Sequence, residues 1–407
     1  MDIQQLFAER IGGVNFGKST AIYKFAKIKM AKDAALAERP DIELLNFGVG
    51  EPDQMAPAAI REALKQAVDD PANRGYSDNG ISSFIAAAAD YMSTFFDVQG
   101  LDAATQINHS IGSKPALAML PLAFVDPGDV VLTTVPGYPV LATHAEYLGA
   151  DVVKLPLTQA NGFFPDLDSI DPDQARRAKL FYVNYPNNPT GAAPTANFYD
   201  QLIAFADKHN ILVVQDAAYA TLVYDAPPLS ILGRPGGSDV AIELHSMSKS
   251  YNMTGWRLGF VAGPAPVVSA FASVKDNVDS GQFKAIQIAA CQGIANRELA
   301  DSIRDHYARR LRRMSEVLCE AGFDAAMPGG TFFLYTKAPT GAGSTDFANA
   351  EEATQFLIRQ LSIATVPWDD AGAYVRFSAT FESAGADDDE RVLSELGRRL
   401  SSAALRF

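Results

Sequence analysis

Cysteine is scarce in this chain: Cys291 and Cys319 are the only two among 407 residues. Such a pair has neither the spacing of a metal-binding cluster nor the density of a disulfide-stapled fold, so both are expected as free thiols. Histidine is almost as rare, and the five present are scattered, which argues against a zinc enzyme. Positive charge is also in short supply. The 34 basic residues face 48 acidic ones, for a formal charge of −14, and such a surface repels nucleic acid and anionic membranes. No window offers the roughly 20 consecutive apolar residues that a membrane-spanning helix needs. The opening MDIQQLFAER lacks the basic-then-apolar order of a secretory leader. These absences lead to the expectation of a soluble, cytoplasmic protein without metal, nucleic-acid or membrane partners.

The chain has enough apolar residues, 48%, to bury two cores at this length. Short apolar runs at 130–136, 151–157, 179–186, 211–220, 241–249 and 256–263 alternate with helix-like segments. That alternation predicts an α/β fold with a mostly parallel sheet sandwiched by helices. Helices are also expected over 57–69 and about 80–95. After about residue 285 the pattern changes to a long charged helix through Cys319, another helix near 347–360 and a strand at 373–379, which reads as a smaller α+β domain. The expected organisation is an N-terminal segment (1–55) contributing to the small domain and to a dimer, a large domain (56–285) and a C-terminal small domain (286–407).

One phosphate motif fails in its context. GGVNFGKS places Gly12, Gly17, Lys18 and Ser19 at the spacing of a nucleotide-binding P-loop. That loop requires a buried strand feeding into it, and residues 1–11 read as a charged terminal segment instead. A loop or helix entry is the expectation.

Polar chemistry gathers where the middle strands end, which is where open α/β sheets leave room for ligands. KLFYVNYPNNPTG delivers Asn188, ILVVQDAAYA delivers Asp216 and Tyr219, and AIELHSMSKSYNMTGWRLG delivers Ser246, Lys249 and Arg257. In that order and at those separations, NNPTG, VVQDAAY and SMSKSYNMTGWRLG resemble the aspartate aminotransferase superfamily of pyridoxal 5'-phosphate enzymes, fold type I. The resemblance runs over nearly the whole chain. It implies that Lys249 anchors the cofactor covalently and serves as general acid and base. Asp216 resembles the carboxylate that pairs with the pyridine nitrogen, and Asn188 and Tyr219 the donors to the ring oxygen. Tyr138, in PGYP, resembles the aromatic stacked on the ring.

For the phosphate, Ser113 and Lys114 in IGSKPAL match the family segment at a helix N-terminus. Ser246 and Arg257 resemble its other contacts. Tyr76, in GYSDNG, resembles a residue that reaches the phosphate across a dimer interface, which implies a homodimer with shared active sites. Arg376, in YVRFSAT, resembles the small-domain arginine that grips the substrate α-carboxylate, with Gly50 beside it.

FGKSTAIYKFAKIK, NFGVGEPD, GYSDNG and KDNVDSGQF further resemble one branch of the superfamily, the LL-diaminopimelate aminotransferases. That branch moves the amino group of glutamate reversibly onto tetrahydrodipicolinate. For the distal end of such a long substrate the candidates are Tyr23 and Lys24, with Gln282 from the other subunit. An aspartate, alanine or aromatic amino-acid aminotransferase of broader specificity is the alternative, and the residues around Lys249 do not separate the two.

Overall fold

The structure is a computed structural model that describes residues 1–18 and 24–407. Its centre is a seven-stranded sheet in the order Ile107–Ser110, Gly259–Ala262, Ala241–Ser246, Leu212–Asp216, Ala178–Asn184, Val130–Val135 and Asp151–Pro156. All neighbours pair in parallel except Gly259–Ala262, which runs antiparallel to both of its partners. Six of the seven strands fall on the apolar runs of the sequence. The seventh, Ile107–Ser110, reads INHS, and its three polar side chains, Asn108, His109 and Ser110, are buried at the sheet edge.

Side chains on a strand alternate between faces, and this period assigns the two layers. Val130, Phe181 and Val213 face the helices Ser82–Phe96, Ala196–His209 and Lys284–Ile294, where Phe84, Leu202 and Ala289 complete one core. Val131, Tyr182, Val214 and Leu244 face the helix Ser113–Phe124, with Ala116, Leu117 and Leu120 against them. The sheet is therefore covered on both sides.

A second core forms on the three-stranded antiparallel sheet ordered Val366–Trp368, Tyr374–Ser378, Phe333–Lys337. Leu357, Leu393 and Leu396 pack there from the helices Ala350–Leu361 and Ala386–Ser401. The N-terminal segment joins this core: Leu45–Asn46 pairs with Ile363–Ala364, and Ile28, Ala31 and Ala35 of the helix Lys24–Glu38 lie on Ile358, Ala364 and Val366.

The change from one core to the other does not coincide with the change of sequence pattern at 285. Ala289, Ala290 and Ile294 still pack with the large sheet, and so does Ala300. Ile303 and Tyr307, on the same continuous helix Arg297–Glu320, belong to the second core. An amphipathic period carries no mark of which core it faces, so the sequence showed the helix and not the handover.

The P-loop-like segment has no preceding strand. Residues 3–15 form three short 3-10 turns, with Gly12 and Gly17 in left-handed conformations. Ser19 lies outside the described residues.

Candidate active site

Register brings the polar strand ends together. Asn184 pairs with Asp216, and Asp216 with Leu244, two residues before Ser246. Period-two alternation then puts Tyr182, Asn184, Asp216 and Ser246 on one face, the face covered by Ser113–Phe124. There Asn184, Asp216 and Ser246 line a cavity of about 390 Å3 together with Gly50, Ser113, Lys114, Tyr138, Asn188, Tyr219, Lys249, Arg257 and Arg376, while Tyr182 stands behind Asp216. Eleven of the residues singled out from the sequence thus meet in one cleft between the two cores.

Lys249 sits in the single helical turn Met247–Ser250 that follows the strand Ala241–Ser246. Its Nζ donates to the Gly50 carbonyl at 3.0 Å. Burial lowers its pKa to about 8, helped by the nearby Arg257 and Arg376 cations and opposed by Glu51. Roughly a tenth to a fifth of this amine is then neutral near physiological pH, far more than of an ordinary lysine, as a nucleophile or general base requires.

Asp216 presents the opposite perturbation. Its carboxyl group is buried, and burial raises its pKa to about 7 against the hydrogen bonds from the Ala218 N–H (3.2 Å) and the Tyr182 hydroxyl (3.4 Å). Among the described residues no Lys, Arg or His forms an ion pair with it. A buried carboxylate without a cation is costly, so this site fits a ligand that carries its own positive N–H.

Arg376 is the complementary case. It lies on the middle strand of the small sheet, 4% exposed, and burial lowers its pKa to about 10. Its Nη1 donates to Asn188 Oδ1 at 2.9 Å, its guanidinium lies 4.0 Å from the Phe333 ring centroid, and its Nε is buried without a hydrogen-bond partner. No carboxylate of the described residues neutralises it, whereas the equally buried Arg310 is paired with Asp53 and Asp389 at 3.1 and 2.7 Å. An unpaired planar fork at the rim of a cavity suits a carboxylate substrate.

An anion cradle closes the cavity on the sheet side. Ser113 and Lys114 open the helix Ser113–Phe124, whose first N–H groups lack intrahelical acceptors. Arg257 approaches so closely that a Cβ on Gly112, itself at φ +80°, would come within 2.7 Å of its Nη2. Ser246 caps the Lys249 turn by accepting from the Ser248 N–H at 3.2 Å, and Arg257 Nη1 reaches Ser248 Oγ and the Thr254 carbonyl. An amine, an unpaired acid for a ring nitrogen, phenols at Tyr138 and Tyr219 and a phosphate-sized cradle together fit pyridoxal 5'-phosphate.

Among the described residues, three sequence candidates, Tyr76, Lys24 and Gln282, stand apart from this cavity. Tyr76 is 82% exposed and reaches nothing in it. Tyr23 lies outside the described residues, while Lys24 sits 3.9 Å over the Trp368 ring. Gln282, considered as a contact from the other subunit, directs its side-chain amide at backbone carbonyls of its own chain, at Trp256 and Arg257. Conversely, the sequence did not mark Tyr182, Asn184, Thr254 and Phe333 for the site. Counting back two residues from the end of KLFYVN would have placed Tyr182 beside Asp216, whereas Phe333 arrives from the other core with no sequence signal.

Comparison with known proteins agrees with this geometry. Residues 42–388 match the family described as aminotransferase class I and II. The LL-diaminopimelate aminotransferases of Methanocaldococcus jannaschii and Methanococcus maripaludis are each 50% identical to the chain, over all of it and 99% of their own length. That of Aquifex aeolicus is 41% identical over 86% of this chain and 89% of its own. Among solved structures, substrate-bound BacF of Bacillus subtilis superposes with a TM-score of 0.85 at 29% identity, covering 96% of this chain and 97% of that one. A probable N-succinyldiaminopimelate aminotransferase of Thermus thermophilus gives 0.84 at 27% identity, covering 94% and 100%. The chain belongs to the class I and II aminotransferases, a family of pyridoxal 5'-phosphate-dependent enzymes.

Proposed function

We propose that the protein is an LL-diaminopimelate aminotransferase, which reversibly moves the amino group of glutamate onto tetrahydrodipicolinate to give LL-2,6-diaminopimelate and 2-oxoglutarate. The observation that supports amino-acid transamination is the convergence of a depressed lysine, Lys249, and an unpaired buried arginine, Arg376, on one cavity beside Asp216. The choice of substrate rests on full-length relatives of that name at 50% identity.

When bound, pyridoxal 5'-phosphate supplies the electron sink for negative charge at the substrate Cα and retains the amino group between the two half-reactions. The protein's residues do the rest. Arg376 grips the α-carboxylate and so fixes which substituent of Cα faces Lys249. Lys249 tethers the cofactor, takes the Cα proton as a neutral amine and returns a proton as an ammonium. Asp216 holds a proton on the ring nitrogen, and Asn188 and Tyr219 orient the ring through its oxygen. Ser113, Lys114, Ser246 and Arg257 hold the phosphate. Tyr138 covers the ring face.

The working unit in this reading is a homodimer. Tyr76, exposed in its own chain, completes the phosphate site of the partner protomer. Lys24 and Tyr23 stand at the substrate's distal end.

A donor panel tests the substrate. Mixed with holoenzyme, LL-diaminopimelate is expected to convert the cofactor to its amine form, with the cyclic keto-acid product appearing in step. Failure with LL-diaminopimelate alongside efficient conversion by aspartate or an aromatic amino acid would overturn this choice in favour of a broader-specificity enzyme.

A further inference from the structure

Arg257 holds its guanidinium in the cradle from an unusual backbone. At φ +59° and ψ +58° it is left-handed, a region that costs a non-glycine residue free energy wherever the surroundings do not enforce it. The two peptide planes flanking its Cα carry the carbonyls of Trp256 and Arg257. Both accept from a single group, Gln282 Nε2, at 2.5 and 2.7 Å. One side-chain amide therefore pins both torsions of the residue.

The amide is itself fixed from the other end. Gln282 Oε1 lies 3.2 Å from His109 Nε2. With both hydrogens of the amide committed, the oxygen is left as acceptor and His109 Nε2 as donor, and burial keeps that imidazole neutral by lowering its pKa to about 4. Gln282's backbone is anchored as well: its N–H donates to Ser77 Oγ, and its carbonyl accepts from Ser77 Oγ and Gln287 Nε2 at 2.7 and 2.9 Å. Ser77 adjoins Tyr76. A continuous set of hydrogen bonds thus runs from the segment after Tyr76, through Gln282, to the backbone of Arg257.

We propose that Gln282 is a positioning residue for cofactor phosphate: it sets the left-handed backbone that aims Arg257 into the cradle and touches neither cofactor nor substrate. This inference rests on the assignment of the cradle to cofactor phosphate. Without the amide, the Trp256–Arg257 carbonyls lose their common donor, the Arg257 backbone relaxes toward commoner torsions, and the guanidinium leaves the phosphate position.

The test compares two ligands that differ only in the phosphate. Apo-protein is titrated with pyridoxal 5'-phosphate and with pyridoxal, following the visible absorption band. For Gln282→Ala the affinity for pyridoxal 5'-phosphate is expected to fall about tenfold while that for pyridoxal stays at the wild-type value. On an Arg257→Ala background the same substitution should then have no further effect, because the route it acts through is gone. An equal loss for both ligands, no loss for either, or a full additional loss on the Arg257→Ala background would overturn the proposal. Should Gln282→Ala fold poorly, Gln282→Glu keeps the shape and removes both donors, and the same phosphate-selective loss is expected. Wild-type protein that binds pyridoxal and pyridoxal 5'-phosphate equally well would instead refute the cradle assignment, independently of Gln282.

Discussion

Replacing Asp216 with asparagine should push cofactor affinity and apo-protein stability in opposite directions. The carboxyl group is buried, and its pKa stands at about 7 in the folded protein against 3.8 for the free side chain. Below pH ~4 it is neutral in both folded and unfolded chains and contributes nothing. Between about 4 and 7 the unfolded chain gives up a proton that the folded chain retains. Folding is therefore penalised relative to an uncharged side chain by ~1.4 kcal/mol per pH unit. Above about 7 the penalty levels at roughly 4 kcal/mol, an upper figure because water entry and relaxation soften it. Asparagine removes the charge while its carbonyl oxygen can still accept from the Ala218 N–H. Urea unfolding of the two apo-proteins from pH 4.5 to 8.5 should show Asp216→Asn gaining on wild type as pH rises to 7, then a plateau. With saturating pyridoxal 5'-phosphate the order should reverse, since only the carboxylate balances a protonated ring nitrogen. A stability difference that is flat in pH, or an apo-protein destabilised at pH 8, would refute the reasoning.

Truncation of the arginine fork, Arg376→Ala, should lower kcat/KM for amino acids about 100-fold or more, the loss of two charge-assisted hydrogen bonds at ~1.5 kcal/mol or more each. Turnover of the matching amines, which lack the carboxylate, should change far less; an equal loss on both would contradict the assigned contact. Lys249→Ala should abolish the anchored cofactor's absorption band and slow both half-reactions by orders of magnitude, and wild-type single-turnover rates in that variant would remove Lys249 from the chemistry. Because the amine's pKa is lowered to about 8, the rate at which apo-protein captures the cofactor should rise with pH and level off above 8; a midpoint near the ordinary lysine value would show the site does not depress it.

Residues close together in sequence made most of this site legible. Asn188, Asp216 and Lys249 each lie near the end of an apolar run or just past it, so identifying the runs as parallel strands was enough to bring the three together at the C-terminal ends of neighbouring strands. Arg376 required only its motif. What stayed hidden depended on pairings between distant residues that no local pattern encodes. INHS is too short and too polar to read as a strand, yet Asn108 and His109 are buried because Gly259–Ala262 pairs beside them. Gln282 looks like an exposed loop residue until Trp256 and Arg257 fold back under it. Tyr76 shows the converse, a residue with a legible motif and no role within one chain.

The helix Arg297–Glu320 passes from one core to the other without a break. At 24 residues it is a stiff rod of about 36 Å, gripped near its start by the core that carries Lys249 and for most of its length by the core that carries Arg376. The two halves of the cleft are therefore joined by a spring and not by a slack tether. A bend or swivel of that rod near Asp301 and Ser302 would change the gap between amine and guanidinium, which would make cleft width an elastic variable with a resting length.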